Sequence, residues 1–208
     1  MRILITAGPT REPIDTVRFV SNRSSGRLGV ALSYAGADAG HEVTLLLGPV
    51  PVHTHVAKYC DLYRFETCAQ LECLLGKHFP DCHLLIMAAA VADYRPTQQS
   101  GKLTRDGAMD LHLEPTPDLV AAVTSGKRLD QKVIAFALEQ SEQLEARAME
   151  KMRRKGVDAM VANPLQTMEA DVIEPLWLTA SGQRQEPGRM SKELFAHWLI
   201  DQGERLLT

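Results

Sequence analysis

The chain has 208 residues, 45% of them apolar, and a formal charge of −3 from 23 basic and 26 acidic side chains. That is enough apolar content for a packed core, spread too evenly for disorder, and the charge gives no reason to expect nucleic acid or an anionic membrane as partner. No Gly/Ser-rich or Pro-rich linker divides it, so one domain over 1–208 is expected, and no apolar run approaches the roughly 20 residues that span a bilayer.

In chain order, a strand at 2–7 carrying Ile3-Leu4-Ile5 leads into the stretch Thr6 to Gly29, and a helix follows at 26–39 with Leu28, Ala31, Leu32, Ala35 and Ala39 on one face. The stretch is a strand-to-helix connection far longer than the usual 2 to 6 or so residues, and such length points to function. Gly26 and Gly29 permit close backbone approach, Ser24 and Ser25 add hydroxyl donors, and Arg23 and Arg27 add charge at a helix start, which together describe a phosphate cradle. The pattern is neither G-x-G-x-x-G nor a P-loop, and an ordinary glycine-rich loop is the plainer reading.

Gly40 stops that helix and Glu42 to Leu47 reads as a buried strand, followed by Gly48-Pro49-Val50-Pro51 in place of the acid that would hold a ribose, which counts against an ordinary NAD site. His53 and His55 sit two apart in a loop, where exposed histidines are far commoner than a metal site. Cys60, Cys68, Cys73 and Cys82 have no C-x-x-C spacing, and the chain starts at a core strand with no leader pattern, so a reduced, cytoplasmic setting is expected.

Further strands at 60–65, 83–89, 109–114 and 132–138 mostly alternate with helices at 68–79, 117–125 and 142–155, the pattern of a doubly wound α/β fold with a largely parallel, Rossmann-like sheet and helices on both faces. Ligands in such folds gather at the carboxyl ends of the strands. There the run Leu84 to Pro96 ends in small residues, so backbone can approach a flat ligand, with Asp93 just beyond; tight packing under a helix would use the same residues. The polar loop Thr97 to Gly107 carries Lys102 and Arg105, as a flap closing over a polyphosphate would, and as a solvated loop also would. Pro115-Thr116-Pro117-Asp118 opens the next helix.

Val133 to Glu139 is another buried strand, and Glu139 could position a metal or ligand hydroxyl or cap the helix near Ser141. A helix stop and short strand follow over Lys155 to Pro164. The strand Val172 to Leu178 is broken by Pro175, which suggests an edge or bulge, and Ser191 caps a last helix burying Leu194, Phe195, Trp198, Leu199 and Leu206.

Taken in order, Ile-Thr-Ala-Gly-Pro-Thr-Arg-Glu-Pro-Ile-Asp, Ser-Asn-Arg-Ser-Ser-Gly-Arg-Leu-Gly, Ala-Ala-Ala-Val-Ala-Asp-Tyr-Arg-Pro, Lys-Leu-Thr-Arg, Pro-Asp-Leu, Phe-Ala-Leu-Glu and Val-Ala-Asn closely resemble phosphopantothenate–cysteine ligase, the synthetase half of the coenzyme A flavoprotein. The resemblance covers nearly the whole chain. It implies joining of 4'-phosphopantothenate and cysteine through an acyl-nucleotidyl intermediate, with CTP as co-substrate, Mg2+ as cofactor, a homodimer, and a separate phosphopantothenoylcysteine decarboxylase as a possible partner. An extra strand pair, at 109–114 and 172–178, would serve dimerisation.

By the same resemblance Gly8, Ser24, Ser25, Gly26 and Gly29 belong to the nucleotide loop, Asn22 handles the acyl group and, with Arg18, binds substrate. Ala89 and Ala90 back the cytosine, Asp93 lies near ribose and metal, Phe136 sits beside the base, and Lys102 is the flap lysine. The chain departs from the family at Thr104 and Arg105, where lysines are usual, at Thr116, where Asn-Pro-Asp is usual, and at Leu138-Glu139-Gln140, where Ala-Glu-Thr is usual. Two other readings, a nucleotide-binding oxidoreductase and a non-catalytic partner of a flavoprotein, are opposed by the missing acid after Leu47 and by retention of Asn22, Asp93 and Lys102.

Overall fold

The structure, a computed structural model, describes residues 1–50, 54–165 and 171–208. Eight strands form one sheet: β1 (Arg2–Ala7), β2 (Glu42–Leu47), β3 (Asp61–Arg64), β4 (Leu84–Met87), β5 (Lys132–Glu139), β6 (Ala159–Pro164), β7 (Leu176–Thr179) and β8 (Arg184–Gln185). Their spatial order is β3-β2-β1-β4-β5-β6-β7-β8. The first six are parallel, and β7 and β8 add antiparallel at one side. The order reverses between β1 and β4, and the strand ends diverge there into a crevice.

Both faces of the sheet are covered, which is why the strands read as continuous apolar runs. Because side chains alternate across a strand, Ile3 and Ile5 join Leu45, Ile86 and Val161 under the helices α1 (Arg27–Asp38) and α5 (Lys192–Leu207). Leu4, Leu46, Leu85 and Met160 face the other way, under α2 (Cys68–His78), α3 (Leu119–Ser125) and α4 (Leu144–Lys155). Local signals set the helix ends. Thr67 and Gln70 form a reciprocal capping box at α2, Gly156 ends α4 at a φ of 62°, and Ser191 caps α5 by accepting from the Leu194 amide at 3.2 Å.

Several expectations shift. Of the segment 109–114 only Leu113–Pro115 is strand, paired with Tyr94–Pro96 in a separate two-stranded ribbon, because the alternating Met109 and Leu111 find no sheet neighbour. Pro175 separates two short strands: Val172–Ile173 pairs with Met190–Ser191, while Leu176–Thr179 pairs with β6 inside the sheet and not at its edge. Leu194 is 65% exposed, since it falls on the outer side of the first turn of α5. His53 lies outside the described residues.

Candidate active site

The long β1–α1 connection is a β-hairpin, Arg11–Pro13 pairing antiparallel with Phe19–Ser21. Asp15 at its tip is fully desolvated, which by itself would raise its pKa. Amide donors from Val17 and Arg18, each at 2.8 Å, and from Leu103 at 3.1 Å, with the guanidinium of Arg18, outweigh that and hold its carboxyl down at about 2. Backbone bonds from Thr16 to Gly101 and from Gln99 to Ile14 tie the 97–107 loop to the same tip. Arg18, occupied by Asp15 and the Leu103 carbonyl, therefore belongs to this latch.

Glycines near the hairpin meet separate demands. Gly26 starts α1 in the left-handed region at a φ of 70°. At Gly29 a Cβ would lie 2.2 Å from the Cβ of Ala7, so the absent side chain lets α1 lie directly on β1. Among the described residues no side chain caps α1, and no acid occupies its first turn, so its first amides are open to an anion.

Across the crevice, the segment after β4 is fixed almost group by group. Ala89 donates its amide to Thr6 Oγ1 at 3.1 Å, Ala90 to the Gly8 carbonyl at 2.9 Å and Ala92 to Thr10 Oγ1 at 3.0 Å. The Asn22 side-chain amide donates to the carbonyls of Ala90 at 3.3 Å and Val91 at 3.0 Å. Gly8, at a φ of 79°, thus acts beneath the crevice through its backbone.

Between the α1 start and this segment lies a cleft of about 810 Å³. It brings together Asn22, Ser24, Ser25, Gly26, Gly29, Ala89, Ala90, Asp93 and Phe136, all expected from the sequence. Gly8, Arg18 and Lys102 are not among its lining residues; Lys102 is exposed on the loop latched to Asp15.

Among the described residues, six cationic side chains line the cleft, Arg23, Arg27, Lys151, Arg154, Lys155 and Lys192, against two acids, Asp93 and Asp118. Asp118 caps α3 and meets Lys155 at 2.7 Å; despite partial burial, those bonds hold its carboxyl below the usual range. Lys151 pairs with Glu139 at 2.5 Å, so the acid at the end of β5 holds a lysine of α4. Arg27 pairs with Asp171 at 2.5 Å, and burial, then the charge of Arg27, push the Lys192 ammonium down. The Asp93 carboxylate is exposed and has no ion pair or hydrogen bond among the described residues, which also contain no cluster of three or more metal-ligating side chains.

Sequence reasoning missed the cations of α4 and α5 and the placement of Asn163. Lys151, Arg154 and Lys155 stand at helical i, i+3, i+4 spacing, a signal that an ordinary solvated helix face shares. Asn163, at the end of β6, is buried with its Oδ1 unpartnered, and its strand lies beside the one carrying Phe136.

The chain matches the DNA/pantothenate metabolism flavoprotein C-terminal domain over residues 1–206. It is 34% identical over 221 residues to the coenzyme A biosynthesis bifunctional protein CoaBC of Mycobacterium tuberculosis H37Rv, covering 96% of this chain and 51% of that protein. The CoaBC of Escherichia coli K12 is 34% identical over 214 residues, covering 97% and 51%. A protein of an unknown prokaryotic organism, named cysteine/cysteine sulfinic acid decarboxylase, is 40% identical over 166 residues, covering 79% and 46%. The chain thus spans about half the length of the curated relatives it matches. Among solved structures, the C-terminal domain of CoaBC superposes with a TM-score of 0.85 at 31% identity, covering 99% of this chain and 95% of that one. A Cab2 mutant in complex with phosphopantothenate-cysteine shares the fold, with a TM-score of 0.80 at 18% identity, covering 99% and 87%.

Proposed function

The chain belongs to the DNA/pantothenate metabolism flavoprotein C-terminal domain family, and from that membership and its cleft we propose that it is a phosphopantothenate–cysteine ligase using CTP. The observation that carries the proposal is the facing of an uncapped helix start, amid six cations, against a small-residue strand end bearing the unpaired Asp93.

A triphosphate suits the α1 amides, Ser24, Ser25 and the surrounding cations, while a flat base suits the wall of Ala89, Ala90 and Phe136. In the first step a carboxylate oxygen of 4'-phosphopantothenate attacks the α-phosphorus and the bond to pyrophosphate breaks. In the second, the cysteine amine attacks the acyl carbon, the bond to the phosphate oxygen breaks, and the amide product and CMP leave as the amine loses a proton. Holding the reacting groups in line in a cationic cleft is what this arrangement contributes.

Magnesium usually keeps its own waters and takes one or two carboxylates plus substrate phosphates, and the single unpaired Asp93 fits that requirement. The ion would supply charge neutralisation on the triphosphate. Lys102 is not among the cleft's lining residues, and its loop is assigned as a flap that closes over the triphosphate.

The apolar Val17 and Phe19 of the hairpin and Tyr94, Met109, Leu111 and Leu113 on and near the ribbon are all exposed, which supports a homodimer through this arm. No helix among the described residues is long and apolar enough to cross a membrane.

A thermal-shift panel of CTP, ATP, NAD and FMN with magnesium, followed by turnover with 4'-phosphopantothenate and cysteine, tests the proposal. Stabilisation by CTP above the others, with CMP and pyrophosphate formed in equal amounts, is expected. Stabilisation by NAD or FMN alone would overturn it.

A further inference from the structure

The wall segment ending at Asp93 has one more tether, from the residue that follows the ribbon strand Leu113–Pro115. Thr116 donates its hydroxyl to the Ala92 carbonyl at 2.5 Å and its amide to the Asp93 carbonyl at 2.9 Å. These two carbonyls belong to the peptide groups immediately before and after the Asp93 Cα. Fixing both planes fixes the direction in which the Asp93 Cβ leaves the backbone. With the Ala92 amide held by Thr10, little rotational freedom is left at that corner.

Thr116 is itself stiff. It lies between Pro115, which ends the ribbon, and Pro117, and a residue before proline is confined to extended backbone. Asp93 needs this support because its exposed carboxylate has no partner among the described residues, so nothing but the backbone aims it. The hydroxyl is also not replaceable in kind by the usual asparagine without changing reach, since Oγ1 sits one bond from Cβ and an amide nitrogen two.

We infer that Thr116 is a positioning residue that aims Asp93 into the nucleotide cleft, and thereby sets the affinity of the protein for a magnesium nucleotide more than the rate of the chemical steps. The inference rests on the ligase reading of the cleft. A double clamp of this kind is worth its hydrogen bonds only while both partners stay in register, so deleting the hydroxyl leaves a buried carbonyl unsatisfied and lets the corner relax.

The experiment measures CTP affinity by calorimetry, with and without magnesium, on the full chain and on Thr116→Val and Thr116→Ser, each with its melting temperature. Thr116→Val is expected to weaken magnesium-CTP binding about tenfold and to raise the KM for CTP with kcat nearly held, while Thr116→Ser stays within about twofold of the parent. In an Asp93→Asn background the same valine substitution is expected to add almost nothing, because the two residues act as one unit. Thr116→Ala replaces valine in the series if the branched side chain prevents folding. Unchanged affinity in the hydroxyl-free variants, or an equal penalty with and without the Asp93 carboxylate, overturns the inference while leaving the ligase reading intact. Failure of the parent chain to bind any nucleotide overturns that reading itself.

Discussion

The side-chain amide of Asn22 lies 3.0 Å from the carbonyl oxygen of Val91, so its donor is already engaged across the cleft before any ligand arrives. Together with its bond to Ala90 it staples the hairpin to the strand end. If the amide turns from these carbonyls to the acyl oxygen during the second step, Asn22→Asp, which cannot donate and adds negative charge, should slow amide formation by about 100- to 1,000-fold and leave acyl-nucleotide in quenched mixtures containing cysteine. Mass spectrometry checks it. An equal loss of pyrophosphate release would show instead that Asn22 acts only as the staple.

Lys102 is exposed and its loop is held to the hairpin through Asp15, so removing its charge touches no packed contact. Lys102→Gln should keep the melting temperature and cut pyrophosphate release from CTP and 4'-phosphopantothenate by some hundreds-fold, about 3 to 4 kcal/mol of barrier. An unchanged rate would transfer the role to Arg105 or a cleft lysine.

The latch at Asp15 makes a pH-dependent contribution to stability. Its folded pKa of about 2 lies below the ordinary value of 3.8, so the folded state favours the ionised form. The contribution is complete above about pH 4 and is lost as pH falls toward 2. Asp15→Asn should therefore melt below the parent at pH 6, with the gap closing as the pH is lowered to 2. A gap that does not depend on pH would place the effect in packing.

If the exposed hairpin and ribbon form a dimer interface, light scattering should give twice the 23.0 kDa chain mass at micromolar concentration. Val17→Asp combined with Met109→Asp, both at positions more than half exposed in the single chain, should halve that mass without lowering helix content.

The four thiols should separate sharply. Burial pushes Cys60 and Cys68 up to about 11 and Cys82 up to about 12, whereas Cys73 is exposed on α2. At pH 8 a thiol reagent should label Cys73 quickly and the other three only on unfolding, as peptide mapping would reveal.

Much of this protein was legible in its residues because the signals are local. Alternation of strands and amphipathic helices, the cap at Ser191 and the glycine stop at Gly156 depend on neighbours a few positions away. So do Ser24, Ser25 and Gly26, which sit together in the chain and in the cleft. Met109 and Leu111 misled for the complementary reason: alternation shows that a segment can be a strand, while a partner strand decides whether it is one.

Sequence by itself thus determined the doubly wound architecture, the glycine- and serine-rich loop at the start of α1 and the wall of small residues, all written in short stretches of chain. Tertiary structure alone decided that Arg18 closes on Asp15, that Glu139 holds Lys151, that α4 and α5 turn their cations into the cleft, and that Thr116 reaches back 24 residues to Ala92. Each of those pairings depends on where crossovers return the chain. A charge or hydroxyl looks the same in sequence whether it faces water or a ligand, and only the packing of distant elements distinguishes the two.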